Sequence, residues 1–183
     1  MSYKKWIFVA IFLFSIGLAF GLITPASVPG PISEDIAALG ELAGFLASLP
    51  LALVAVIIFM KNALALLVSF VFSPIFCLLP ILTLTINGWL LAFVSVTISQ
   101  EKSLGFVLAG LLPHGVFELP ALILGEAAAL SFGVVVILAL FKKERRSLLL
   151  PSLKQNLRYL IIALVLLLPA AIIETFVTPL LLV

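Results

Sequence analysis

Six polar residues stand inside long apolar runs: Asn62, Asn87, His114, Glu118, Glu126 and Glu174. A charged side chain at the centre of a bilayer costs about 2.5–3.5 kcal/mol on insertion scales, so such groups pair, take up a proton or bind something. His114 and Glu118 are four residues apart and share one face of a helix. That spacing suits a carboxylate–imidazole hydrogen bond, a shared proton, or two ligands of a metal ion. Glu174 or Glu126 would have to supply a third protein ligand. Structural hydrogen bonding is the plainest use of these groups, with a proton or solute relay and a divalent ion as the alternatives. Asn62 and Asn87 can each donate and accept across a helix pair, which suits ties between helices. Pro113 and Gly115 flank His114, and irregular backbone at membrane depth is tolerated only inside protein or beside a wet cavity. His114 and Glu118 therefore mark the candidate site. The chain has no His-Glu-x-x-His and no Ser or Cys nucleophile beside a base, so enzymatic chemistry is not favoured and no cofactor is expected.

The elements that carry these residues follow from composition. Hydrophobic residues make up 64% of the 183, charged residues only 10%, and mean hydropathy is +1.42. A soluble domain carries about a quarter charged residues. This chain could not cover its own surface in water and is expected to be an all-α, polytopic membrane protein. At roughly 20 residues per crossing, the chain has room for about five spans. The apolar runs place them at 6–24, 50–73, 75–98, 104–141 and 157–178. Thr24-Pro25, Ser73-Pro74 and Pro179 supply breaks, because proline removes a backbone donor and clashes with the preceding turn. The fourth run is too long for one straight crossing. Pro113 divides it into a half-helix over 104–112 and a long helix from about 114. The first run exceeds the usual signal-peptide core and reads as a span that stays. Between 25 and 49, Ser33 followed by Glu34 and Asp35 reads as the cap of a short amphipathic helix in an outer loop. Lys61 and Asn62 interrupt the second run, and a rival span over 41–60 would leave both at the cytoplasmic face.

Eight of the ten basic residues lie in two clusters, Lys4 and Lys5, then Lys142, Lys143, Arg145, Arg146, Lys154 and Arg158. Basic loops stay cytoplasmic. Both clusters inside requires an even number of crossings between them, which puts the N-terminus in the cytoplasm and the C-terminus outside. Counted from Lys142, Glu126 lies about 24 Å and Glu118 about 36 Å along a helix, and Glu174 lies about 24 Å from Arg158. All three acids are thus expected in the outer half of the membrane. The small net charge of +2 gives no support for nucleic-acid binding. A single cysteine, Cys77, excludes an intrachain disulfide and reads as a small buried hydrophobe.

Helices in lipid associate where small residues let backbones approach. Gly17 and Gly21 form one such pair, and Ala121, Gly125, Ala129 and Gly133 recur every fourth residue. Packing within the chain is the expected use of both, with a homo-oligomer seam as the alternative.

The stretch Leu112-Pro113-His114-Gly115-Val116-Phe117-Glu118-Leu119-Pro120-Ala121 resembles the hallmark of the stage II sporulation protein M family. Asn62, Asn87-Gly88 and the segment Ala170 to Pro179 agree with that resemblance, which runs from about residue 60 to 179. It implies about five spanning helices. The founding member of the family anchors peptidoglycan-degrading partners in the membrane during engulfment. What carries over is the membrane core, for the chain has no wall-hydrolase signature. Glu126 departs from the family pattern, which has small residues at that turn. The resemblance and the residues together lead to a non-enzymatic scaffold with protein partners in the membrane. An ion- or proton-coupled transporter or channel is the alternative, and a metal-dependent intramembrane hydrolase a more distant one.

Overall fold

A computed structural model of the chain describes residues 3–25, 44 and 48–182. Among these, all the regular structure is helical: α1 (Tyr3–Ile23), α2 (Leu51–Phe72), α3 (Leu78–Glu101), α4 (Leu104–Phe141), a 3-10 turn (Lys143–Leu148), α5 (Leu149–Phe176) and the short α6 (Thr178–Leu181). Five of these segments are long and apolar enough to cross a bilayer, as hydropathy leads one to expect. The expected amphipathic helix after Ser33 lies outside the described residues.

The ends of the helices follow local chemistry. α1 stops just before Thr24-Pro25 and α2 just before Ser73-Pro74. Phe76 and Cys77 both take left-handed backbone (φ 51° and 54°) in the tight turn into α3. Cys77 is buried there, its thiol 3.8 Å from the Leu130 carbonyl. Ser103 caps α4 by accepting a hydrogen bond from the Phe106 amide at 3.2 Å. α2 spans Leu51–Phe72, so Lys61 and Asn62 stand halfway along a spanning helix rather than at its end.

The break expected at Pro113 does not occur. α4 is one uninterrupted helix of 38 residues, with Pro113 and Pro120 inside it. Each proline withholds one N–H, a loss that spanning helices commonly tolerate. The half-helix over 104–112 is simply the first quarter of α4. At ~1.5 Å per residue α4 is about 57 Å long, nearly twice the hydrocarbon thickness.

Two close helix pairs organise the bundle, α1 with α3 and α4 with α5. α1 and α3 run in the same direction, with Gly17 facing Thr85 and Gly21 facing Trp89 and Ala92. The Trp89 indole donates to Thr24 Oγ1 at 2.9 Å at the far end of this pair. α4 and α5 form an antiparallel hairpin through the 3-10 turn. α2 lies along α4 in the same sense: Leu66 meets Gly125, and the Ser73 carbonyl meets Gly133. Both small-residue series are thus used within the chain. Ala121 and Ala129 are fully buried in the same seam. Tyr3 joins the pairs, donating to the Leu124 carbonyl at 2.7 Å and stacking on Tyr159 with ring centroids 3.4 Å apart.

Candidate functional site

Four elements bring polar groups together. From α4, His114 and Glu118 project on one face, with His114 Nε2 3.8 Å from Glu118 Oε2. That separation is an ion-pair distance, too long for the hydrogen bond the i, i+4 spacing allows. Each finds another partner instead. Asn62 of α2 donates to Glu118 Oε1 at 3.0 Å, and His114 Nδ1 lies 3.4 Å from Thr178 Oγ1 at the start of α6. Thr178 also donates to the Ile173 carbonyl at 3.3 Å, which fastens the end of α5. Glu174 of α5 completes the group: one ligand atom from each of His114, Glu118 and Glu174 lies within 4.8 Å of the others. The His114 side chain is 12% exposed and that of Glu118 32%. Lys61 is close enough for its charge to act on Glu174, yet is itself exposed.

This arrangement has two chemical capacities. The hydrogen bonds from α2 and α6 tie four elements at one level. One imidazole and two carboxylates converging within 4.8 Å could also hold a divalent ion through nitrogen and oxygen.

The depth of the cluster differs from the count along α4. Glu118 sits opposite Asn62, halfway along α2, rather than near one membrane face. The count from Lys142 overshoots because α4 and α5 continue past the α2–α3 turn: Gly133 is level with Ser73, and eight residues of α4 lie beyond it. A single helix longer than the bilayer is a poor ruler; register against α2 is a better one.

Asn87 does not tie helices. Its amide donates to the Thr83 carbonyl of its own helix at 2.7 Å, and the residue is exposed. It does line, with Asn62, Thr83 and Glu118, a cavity of about 40 Å³ whose apolar lining includes Leu66, Leu122 and Leu167. This is room for one to a few waters.

Glu126 is separate from the cluster. It is fully buried at the α2–α4 seam, where Ser69 Oγ donates to its Oε2 at 2.5 Å. Its Oε1 has no partner among the described residues. Ser69, Thr178 and Lys61 were not singled out as site residues by sequence. Thr178 could have been found, since it follows Glu174 by one helical turn within the Ala170–Pro179 segment; the contact of Ser69 with Glu126 depends on tertiary register.

Comparison with known proteins places the chain in a family. The model of the Stage II sporulation protein M family matches residues 10–179, nearly the whole chain, and the chain belongs to that family. A relative named "Uncharacterized protein MJ0793", from Methanocaldococcus jannaschii, is 25% identical over 174 residues, covering 94% of this chain and 93% of its own. A second from that organism, "Uncharacterized protein MJ0706", is 31% identical over 97 residues, 52% of this chain and 44% of the relative. No solved structure matches.

Proposed function

We propose that the chain is a membrane scaffold, holding a rigid bundle around an internal polar tie and presenting its α2–α3 face to a protein partner within the bilayer. The observation that carries this reading is Lys61, exposed halfway along α2, the least buried of the five spanning helices. An ammonium facing lipid at that depth costs about 2.5–3.5 kcal/mol. The chain's own Glu174, on which the Lys61 charge acts, offsets part of that cost; a partner surface with an acceptor opposite the exposed side of Lys61 would offset the rest, and hydrocarbon cannot. Asn87, exposed in the middle of neighbouring α3, adds a second polar group to the same hairpin. The basic residues at 4–5 and 142–158 face the cytoplasm, with the N-terminus inside and the C-terminus outside.

The polar tie fits a static role. Asn62 and Thr178 occupy Glu118 and His114, and the adjoining cavity is small, about 40 Å³. Reconstitution into proteoliposomes tests this. A scaffold gives proton and cation flux no higher than protein-free vesicles, with Glu118→Gln indistinguishable from wild type. Flux abolished by Glu118→Gln would overturn it.

One observation favours a second reading, cation-coupled transport: the convergence of His114, Glu118 and Glu174 within 4.8 Å. That reading requires one stoichiometric divalent ion in the purified protein, lost in both His114→Ala and Glu118→Gln.

A further inference from the structure

The face of α5 at the basic end of the bundle carries an open groove of about 590 Å³, lined by Pro151, Lys154, Gln155, Arg158, Tyr159 and Ile162. These positions recur at three- and four-residue steps and so form one stripe along the helix. Read along α5, the stripe changes from cationic to amphipathic to apolar. Lys154 and Arg158 come first, Tyr159 is half-buried, and Ile162 is 48% exposed. Among the described residues, neither Lys154 nor Arg158 has an acidic partner or a hydrogen bond. Two unpaired cations one helical turn apart, with an amide beside them, form a site for a phosphate anion.

The level of the groove identifies which phosphate. Tyr159 stacks on Tyr3 at the start of α1. Gly133, next to the Phe132 ring that stacks on Phe70, is level with the turn between α2 and α3. The ends of three helices thus lie toward one end of the bundle near Tyr159, the level at which we set the membrane boundary, and the α4–α5 hairpin continues past the α2–α3 turn. Lys154 and Arg158 stand at headgroup depth, and Ile162 faces the acyl region. Tyrosine is a residue of this interface, and basic pockets at the end of a bundle bind anionic headgroups.

We infer that the Lys154–Arg158 groove is a binding site for an anionic phospholipid, the phosphate held by Lys154, Gln155 and Arg158 and an acyl chain laid along Ile162. The site stands apart from the His114–Glu118 cluster and is independent of the scaffold reading.

The test is native mass spectrometry of the whole protein in detergent with phosphatidylglycerol or phosphatidylcholine added. Wild type should retain phosphatidylglycerol in preference to phosphatidylcholine. Lys154→Gln with Arg158→Gln should weaken retention on the order of tenfold, at a few-fold per basic group. The control pair Lys142→Gln with Lys143→Gln, outside the groove, should change it less than about twofold. A photoactivatable phosphatidylglycerol should label the 151–162 peptide of the unsubstituted protein. An equal fall in both variant pairs, no preference between the lipids, or labelling elsewhere would overturn the site. Displacement of the lipid by inorganic phosphate at equal concentration would assign the groove to free phosphate and overturn the lipid.

Discussion

The Asn62 amide donates to the Glu118 carboxylate across 3.0 Å, joining the middle of α2 to α4 at the same level as the polar groups of α5 and α6. Interhelical hydrogen bonds in lipid are worth on average about 0.6 kcal/mol, up to about 2 in favourable cases. A double-mutant cycle with Asn62→Leu and Glu118→Leu is expected to show a coupling of about 0.5–2 kcal/mol in unfolding measurements. Strict additivity of the two changes would mean that this contact is not a tie.

The α1–α3 pair depends on three glycines, Gly17, Gly21 and Gly88, that leave no room for a methyl group. A Cβ on Gly17 would collide with the Thr85 carbonyl oxygen, and one on Gly88 with the Phe14 carbonyl oxygen. Both obstacles are backbone and cannot swing aside. Alanine would add about 1 kcal/mol of helix propensity at either position, but overpacking against fixed atoms costs about 1–3 kcal/mol and forces the helices apart. Gly17→Ala and Gly88→Ala should therefore be destabilising. Gly115→Ala, with nothing within 4 Å of the new Cβ, should stay at or above wild-type stability.

Ser69 is the one described partner of the buried Glu126 carboxyl. Ser69→Ala leaves both carboxyl oxygens without a hydrogen bond, at a cost of about 1–3 kcal/mol. Removing the polar group as well should recover much of that loss. The expected order of melting temperatures is wild type, then Ser69→Ala with Glu126→Met, then Ser69→Ala alone. If the double variant is the least stable, Glu126 has a further partner and is more than a buried acid held by one serine.

The five spans were legible because bilayer thickness sets their length, and proline marks three of their boundaries. His114 and Glu118 were legible as neighbours because helical geometry alone places positions four apart on one face. The meeting of Glu118 with Asn62 and Glu174 was not, since it depends on how α2 and α5 are registered against α4. Register is set by side-chain packing such as Leu66 into Gly125. The continuity of α4 through Pro113 has the same origin: local chemistry disfavours helix there, and the surrounding helices outweigh it. What Lys61 meets at mid-depth was not legible either, since it depends on how α2 is registered against α5. Its charge acts on Glu174 and its exposed side faces outward.

That outward face gives the most direct measurement. Leu64 and Val68 follow Lys61 at three and seven residues and are exposed with it, while Ile161 and Val165 are exposed on α5. Photo-crosslinking residues placed at 64, 68, 161 and 165 in native membranes compare the two surfaces. A scaffold presenting α2 gives a discrete crosslinked protein at 64 and 68, lost on Lys61→Glu, and lipid adducts alone at 161 and 165. Lipid adducts alone at all four positions, or crosslinks from α2 only to the chain's own residues 26–47, would contradict it.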